Sequence, residues 1–229
     1  MARGGSAAAY LRQGAVALMG LTIALNITWP LVQGQLRDVV TASAIQTFAA
    51  AALMNAWGNH GSTYASRFAS VVLIAGFTVT AAATLLTGLS FAAALGPAIG
   101  GVPLVIPLAW VMLLHPALEL SRRATSRSAV CAVIAGAIVG SSVLYLEPLL
   151  AAGGYLTWDG SPPDAHQVVI HAAAWAAIMT AVAHAVLDVA GRGRATSTTT
   201  MPTMALLWLW LGPFLGDAVV HRTCLLYTS

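Results

Sequence analysis

Seven apolar runs divide this chain, and each is long enough to cross a bilayer as a helix. They cover residues 14–32, 39–57, 68–95, 102–120, 129–150, 166–190 and 204–220. A transmembrane helix needs roughly 20 consecutive, mainly apolar residues. Polar or helix-breaking stretches separate the runs, among them residues 58–67, Gly96-Pro97, Gly100-Gly101, the arginine-bearing 121–128 and the loop 151–165. Only 7% of residues are charged against 59% hydrophobic. That is too few to cover a water-facing surface, where about 25% is ordinary. Lipid removes the requirement, because hydrocarbon solvates the outside of each helix. The expected fold is an all-α, polytopic integral membrane protein of about seven transmembrane helices, one domain over residues 1–220.

The first run lacks a small-x-small cleavage site after Trp29-Pro30, so it reads as a retained helix rather than a signal peptide. The second is the weakest, with Thr41, Ser43, Gln46 and Thr47 along it. The arginines support keeping it. With the N-terminus cytoplasmic, Arg3, Arg12, Arg67, Arg122, Arg123, Arg127, Arg192 and Arg194 fall inside, and Arg37 alone falls outside. That asymmetry is what the positive-inside rule asks of a multi-pass protein of a bacterial inner membrane. Residues 221–229, including Arg222, form a tail. Its last six, 224–229, match the translation of a transposon end used in sequencing libraries and are expected to be foreign.

A net charge of +3, dispersed and without aromatic interleaving, does not suggest a nucleic-acid partner. Cys131 and Cys224 have neither metal-ligand spacing nor the pattern of a disulfide framework. The histidines and acids match no known metal motif. Gly136-xxx-Gly140 in the fifth run fits close helix packing.

Acids are scarce, and Glu147, Asp159, Asp164 and Asp217 gather at one end of the expected bundle. Glu147 stands in Val143-Leu144-Tyr145-Leu146-Glu147-Pro148, inside or at the rim of an apolar run. Removal from water favours the neutral form of a carboxyl group, which is how proteins keep an acid donor available near neutral pH. The structural alternative is an ordinary interfacial Glu at a helix end. Tyr155 and Trp158 fit an interfacial aromatic belt or the wall of an apolar pocket. His171 and Trp175, four apart, share a helix face. His184 with Asp188, and His115 with Glu119, read more readily as interfacial pairs than as sites.

Over residues 87–175 the chain resembles the CruF-type carotenoid biosynthesis proteins, the carotenoid 1′,2′-hydratases that include the bisanhydrobacterioruberin hydratases. Leu95-Gly96-Pro97, the run from Gly101-Val102-Pro103 to Pro107-Leu108-Ala109-Trp110, and Pro116 carry the resemblance. Leu146-Glu147-Pro148, Gly154-Tyr155 and Trp158 are similar to the following block, and Thr87-Gly88 and Phe91 to the preceding one. The chain departs from the family at several polar positions. Ala81-Ala82-Ala83-Thr84 lacks an expected acid, and a Gly-Arg-Tyr-like segment is missing after Phe91. Val143 stands for Asp, His171 for Asn and Glu147 for Asp.

The resemblance implies protonation of a terminal isoprenoid double bond and capture of the tertiary cation by water, without metal or redox cofactor. Glu147 is the expected donor, with Asp159 as substitute and His171 holding the water. Trp110, Tyr145, Tyr155, Trp158 and Trp175 would line a pocket for a long polyene, a carotenoid. The expected partners are that substrate, the lipid bilayer and other carotenoid-pathway membrane enzymes. Three alternatives stand beside it: an isoprenoid cyclase on the same scaffold, a non-catalytic membrane partner, and a small transporter. A transporter would place acids or histidines near mid-membrane on several helices.

Overall fold

The computed structural model describes residues 3–191. Six long helices account for most of them: α1 (Arg3–Thr28), α2 (Gln35–His60), α3 (Ser62–Leu86), α4 (Val105–Ala124), α5 (Ser128–Ala152) and α6 (Ala165–Val189). Five spans, Ala7–Leu31 and the whole of α2, α3, α5 and α6, are long and apolar enough to cross a membrane. The expected seventh run, 204–220, lies outside the described residues, as do Arg192, Arg194, Asp217 and the tail.

The surface is the reverse of a water-soluble one. Leu85, Leu86 and Ile74 are 82%, 82% and 68% exposed, whereas Asn55, His115, Glu119 and Glu147 are buried. Hydrocarbon cannot hydrogen-bond, so apolar side chains face outward and polar ones find partners within the bundle.

Several boundaries differ from the sequence reading. Residues 58–67 are not a loop, because α2 and α3 are separated by Gly61 alone. Its φ of 87° is one that a side-chain-bearing residue rarely adopts, and it turns the chain within one position. The third run ends as a helix at Leu86. Its remainder forms β1 (Leu89–Phe91) and a 3₁₀ turn (Ala93–Leu95). Arg37 and Asp38 lie in the first turns of α2 rather than in a loop. α5 agrees with the fifth run to within two residues, passing Pro148 and ending at Ala152, so Glu147 sits inside a helix rather than at its rim.

α4 is the axis. It packs against α2, α3, α5 and α6, and 14 of its 20 residues are buried. It is the long helix that falls outside the five apolar spans. A helix surrounded by protein need not be hydrophobic all round, and α4 carries His115, Glu119, Arg122 and Arg123.

Helices adjacent in sequence run antiparallel. One end of the bundle, here the base, collects the starts of α3 and α5 and the ends of α2, α4 and α6. The other end carries a cap. There β1 pairs antiparallel with β4 (Leu156–Trp158), Leu89 facing Trp158, and β2 (Ala98–Ile99) pairs with β3 (Val102–Pro103). The cap is fastened to the α1–α2 corner. The Tyr155 hydroxyl donates to Asp38 Oδ1 at 3.0 Å and lies 3.2 Å from Thr41 Oγ1, which accepts from Trp29 Nε1 at 2.9 Å.

α5 and α6 make the most extensive helix contact. Gly136 and Gly140 lie at its closest approach. A Cβ at position 140 would stand 2.5 Å from the Ala176 Cβ and 2.8 Å from the Ala172 carbonyl oxygen. The Gly-xxx-Gly spacing read from the sequence therefore marks a true backbone approach. Gly140→Leu should lower stability by about 1–3 kcal/mol through overpacking, seen as a lower unfolding midpoint in detergent. Gly20→Ala, at a helical position with nothing within 4 Å, should leave the midpoint unchanged or raise it. Equal effects of the two substitutions would contradict the close contact.

Candidate functional site

The close α5–α6 packing sets the register that brings His171 across from Glu147. After α5 the chain turns at Gly153-Gly154, and β4 carries Trp158 back over the same point. Glu147 Oε1 accepts from Trp158 Nε1 at 2.7 Å and lies 2.6 Å from His171 Nδ1. The Trp158 and His171 rings stack, with centroids 3.8 Å apart and planes 24° apart. Glu147 is 5% exposed and the His171 side chain 18%. The second carboxyl oxygen, Oε2, is buried without a hydrogen-bonding protein group.

This arrangement makes the two oxygens chemically unlike. The Trp158 N–H, joined by the His171 ring when its Nδ1 carries a hydrogen, stabilises negative charge on Oε1, and hydrogen bonds to charged groups are the strong ones. When Glu147 is protonated, Oε2 is the oxygen left to carry the hydrogen and present it as a donor. When Glu147 is ionised, Trp158 and His171 hold the charge in place of water. One carboxyl group can thus release and recover a proton inside an apolar bundle. A histidine beside it supplies a second proton-handling group.

Of the other expected residues, Trp110 and Trp175 come together, with ring centroids 4.5 Å apart. Trp110 Nε1 donates to Thr80 Oγ1 at 3.2 Å, and its ring lies where a side chain on Gly76 would have to go. Trp175 is one helical turn beyond His171 on the same face, so this aromatic pair continues inward from the Glu147 group. Tyr155 is not part of the group; it fastens the cap to Asp38 and Thr41. Tyr145 is half-buried on α5, two residues from Glu147, a spacing that does not share a helix face. Asp159 is exposed at positive φ, with its carboxylate against Gly88. Asp164 is the N-cap of α6 in a capping box with Gln167.

A second polar group lies toward the base, between α2, α3 and α4. Glu119 Oε1 is 2.7 Å from His60 Nε2 and accepts from Arg122 Nη1 at 2.8 Å. Arg122 Nη2 donates to the Tyr64 hydroxyl at 2.8 Å. Deeper in, His115 Nε2 lies 3.0 Å from Asn55 Oδ1, which also accepts from Asn59 Nδ2 at 3.1 Å. His115 and Glu119 are thus not a pair; each has its own partners on α2. His184 and Asp188 do pair, at 3.0 Å on an exposed face.

The sequence reading missed this group because Asn59 and His60 were placed in a loop. The available signal was periodicity: His115, Glu119 and Arg122 recur at one face of α4, and Asn55 and Asn59 at one face of α2. Among the described residues, no three His, Cys, Asp or Glu side chains are grouped as metal ligands. An open apolar groove runs between α3 and α4, lined by Leu73, Ile74, Phe77, Leu104, Pro107 and Leu108. No protein-family model, curated protein or solved structure matches this chain.

Trp158→Phe keeps an aromatic ring against His171 but removes the N–H donated to Glu147. It should lower unfolding stability by about 1–3 kcal/mol, the cost of leaving a buried polar group without its partner, as read by thermal unfolding. An unchanged midpoint would show the bond to contribute nothing. At the cap, burial pushes the Tyr155 phenol above its ordinary value of 10.0, and its bond to Asp38 adds to the effect. The folded chain then keeps a proton that the unfolded chain loses. The resulting stability is full below pH 10 and is lost as pH rises through the raised value. Tyr155→Phe should therefore flatten the alkaline fall of the unfolding midpoint, and an unaltered slope would contradict this.

Proposed function

We propose that this chain is a membrane-embedded enzyme that adds water to a terminal isoprenoid double bond, as the CruF-type hydratases do. The observation that carries the reading is Glu147: a buried carboxyl group with Trp158 and His171 against one oxygen and no hydrogen-bonding protein group on the other. Its proton passes from Oε2 to the terminal alkene, forming a C–H bond and leaving a tertiary carbocation. The carboxylate left behind is held by Trp158 and His171. A water oxygen then bonds to the cation, and the proton it sheds returns to Glu147 directly or through His171. The net change is one water added per double bond. The faces of Trp158, Trp110 and Trp175 suit a passing cation and a conjugated chain.

An isoprenoid dissolves in the bilayer rather than in water, which fits a protein whose outer surface is apolar. The arginines give the orientation. Arg12, Arg67, Arg122, Arg123 and Arg127 lie toward the base and Arg37 toward the cap. We infer that the base faces the cytoplasm of a bacterial cell and that Glu147 works in the outer half of the inner membrane. A carotenoid substrate and neighbouring enzymes of the same pathway are the partners this reading implies.

The test is a product assay. The chain is expressed in a bacterium that accumulates an acyclic carotenoid with intact terminal double bonds, and pigment masses are compared with an empty-vector control. A pigment heavier by one or two waters is expected. Glu147→Gln should then reduce its formation by at least about 100-fold, the usual contribution of a general acid. A pigment of unchanged mass but altered retention would replace hydration by cyclisation. No new pigment from membrane-inserted protein would overturn the reading.

A further inference from the structure

Five buried side-chain polar atoms among the described residues meet no hydrogen-bonding partner. One is Glu147 Oε2; the other four belong to the basal group: Asn59 Oδ1, His60 Nδ1, His115 Nδ1 and Arg122 Nε. The bonds already described fix what each of the four needs. Glu119 accepts from Arg122, so it is the ionised acceptor and His60 Nε2 is the donor toward it. A neutral His60 then presents Nδ1 as an acceptor. Asn55 Oδ1 accepts from Asn59, so His115 Nε2 also donates, and its Nδ1 is likewise an acceptor. With both imidazoles neutral the group offers three unused acceptors and one unused N–H donor. Each carries a desolvation cost if left bare in the interior.

Charge narrows the ligand. Glu119 and Arg122 neutralise one another, so an added cation or anion would be an uncompensated charge in a buried place. The matching ligand is neutral, small, and both donor and acceptor. Water has those properties, and buried waters sit where two to four polar partners meet. The group also has a direction. Arg122, Glu119 and His115 occupy successive turns of α4, from near its basal end to its middle, and the polar residues stop at His115. Phe68 flanks the group, its ring against both Tyr64 and His115, and beyond His115 the side chains of Val72, Val111 and Leu114 are fully buried and apolar.

We propose that the basal group is a water-binding column, a chain of ordered water that enters beside Arg122 and ends at His115. It forms a hydrated half-path closed at mid-bundle by Val72, Val111 and Leu114. Water joins His60 to His115 and places both imidazoles on one hydrogen-bonded line to the basal surface. The column is independent of the role assigned to Glu147.

The test uses the full, unaltered chain in lipid bilayers, with nitrogen-15 in histidine and tryptophan. Solid-state magnetisation transfer from water to side chains is followed over time. The His60 and His115 rings should receive water magnetisation several-fold faster than the Trp110 indole, which is bonded to Thr80 on the far side of the apolar layer. His115 building up as slowly as Trp110 would overturn the column. Rapid transfer at His60 alone would also overturn it, because the chain of water would then stop short of mid-bundle.

Discussion

A hydrocarbon surrounding offers no hydrogen bonds, and the arrangement of this protein depends on that fact. Every polar side chain that is not at an aqueous end needs a partner inside the bundle. α4 meets the need by standing at the centre, where α2, α3, α5 and α6 screen it from lipid. Its histidine, glutamate and arginine would be expensive on an outer helix, yet between helices they hold the assembly together. The five apolar spans around or beside it can then be built largely from alanine, valine and leucine.

The polar side chains are segregated along the bundle axis. Glu147, Trp158 and His171 lie under the cap. His60, Glu119, Arg122, Asn55 and His115 lie toward the base. Between them is a layer of buried aliphatic and aromatic side chains, including Val72, Val111 and the Trp110–Trp175 pair. The two groups also differ in kind. Beneath the cap a single acid has an indole and an imidazole against one oxygen and no arginine beside it. Toward the base the acid is bound to an arginine and a histidine, which fixes its charge. Similar residue types therefore give one group suited to proton transfer and another suited to binding a neutral polar molecule.

Much of this was legible in the sequence where one residue's own chemistry decided the matter. The paucity of charge gave the membrane environment, and Gly136 and Gly140 gave the close helix contact. Glu147 stood out as an acid in an apolar run, and His171 as a polar residue on the face it shares with Trp175. What could not be read was who meets whom across helices. Nothing local indicates that Trp158, 11 positions on, returns to bond Glu147, because that depends on the pairing of β4 with β1. The α2–α3 corner was misread for a different reason. Asn59 and His60 are polar enough for a loop, and only their partners on α4 explain why they stay helical. Tyr155 was expected in a pocket, but its hydroxyl found partners on α2, Asp38 and Thr41.

The strand pair in the cap has a mechanical consequence. β1 belongs to the connection between α3 and α4, and β4 to the connection between α5 and α6. Their pairing makes two separate loops into one latch. Trp158, which donates to Glu147, lies opposite Leu89 in the same ladder. Lifting the strand that carries the indole therefore pulls on the α3–α4 connection as well. A displacement of either loop at the cap is thereby passed to the other, so the two connections respond as one unit.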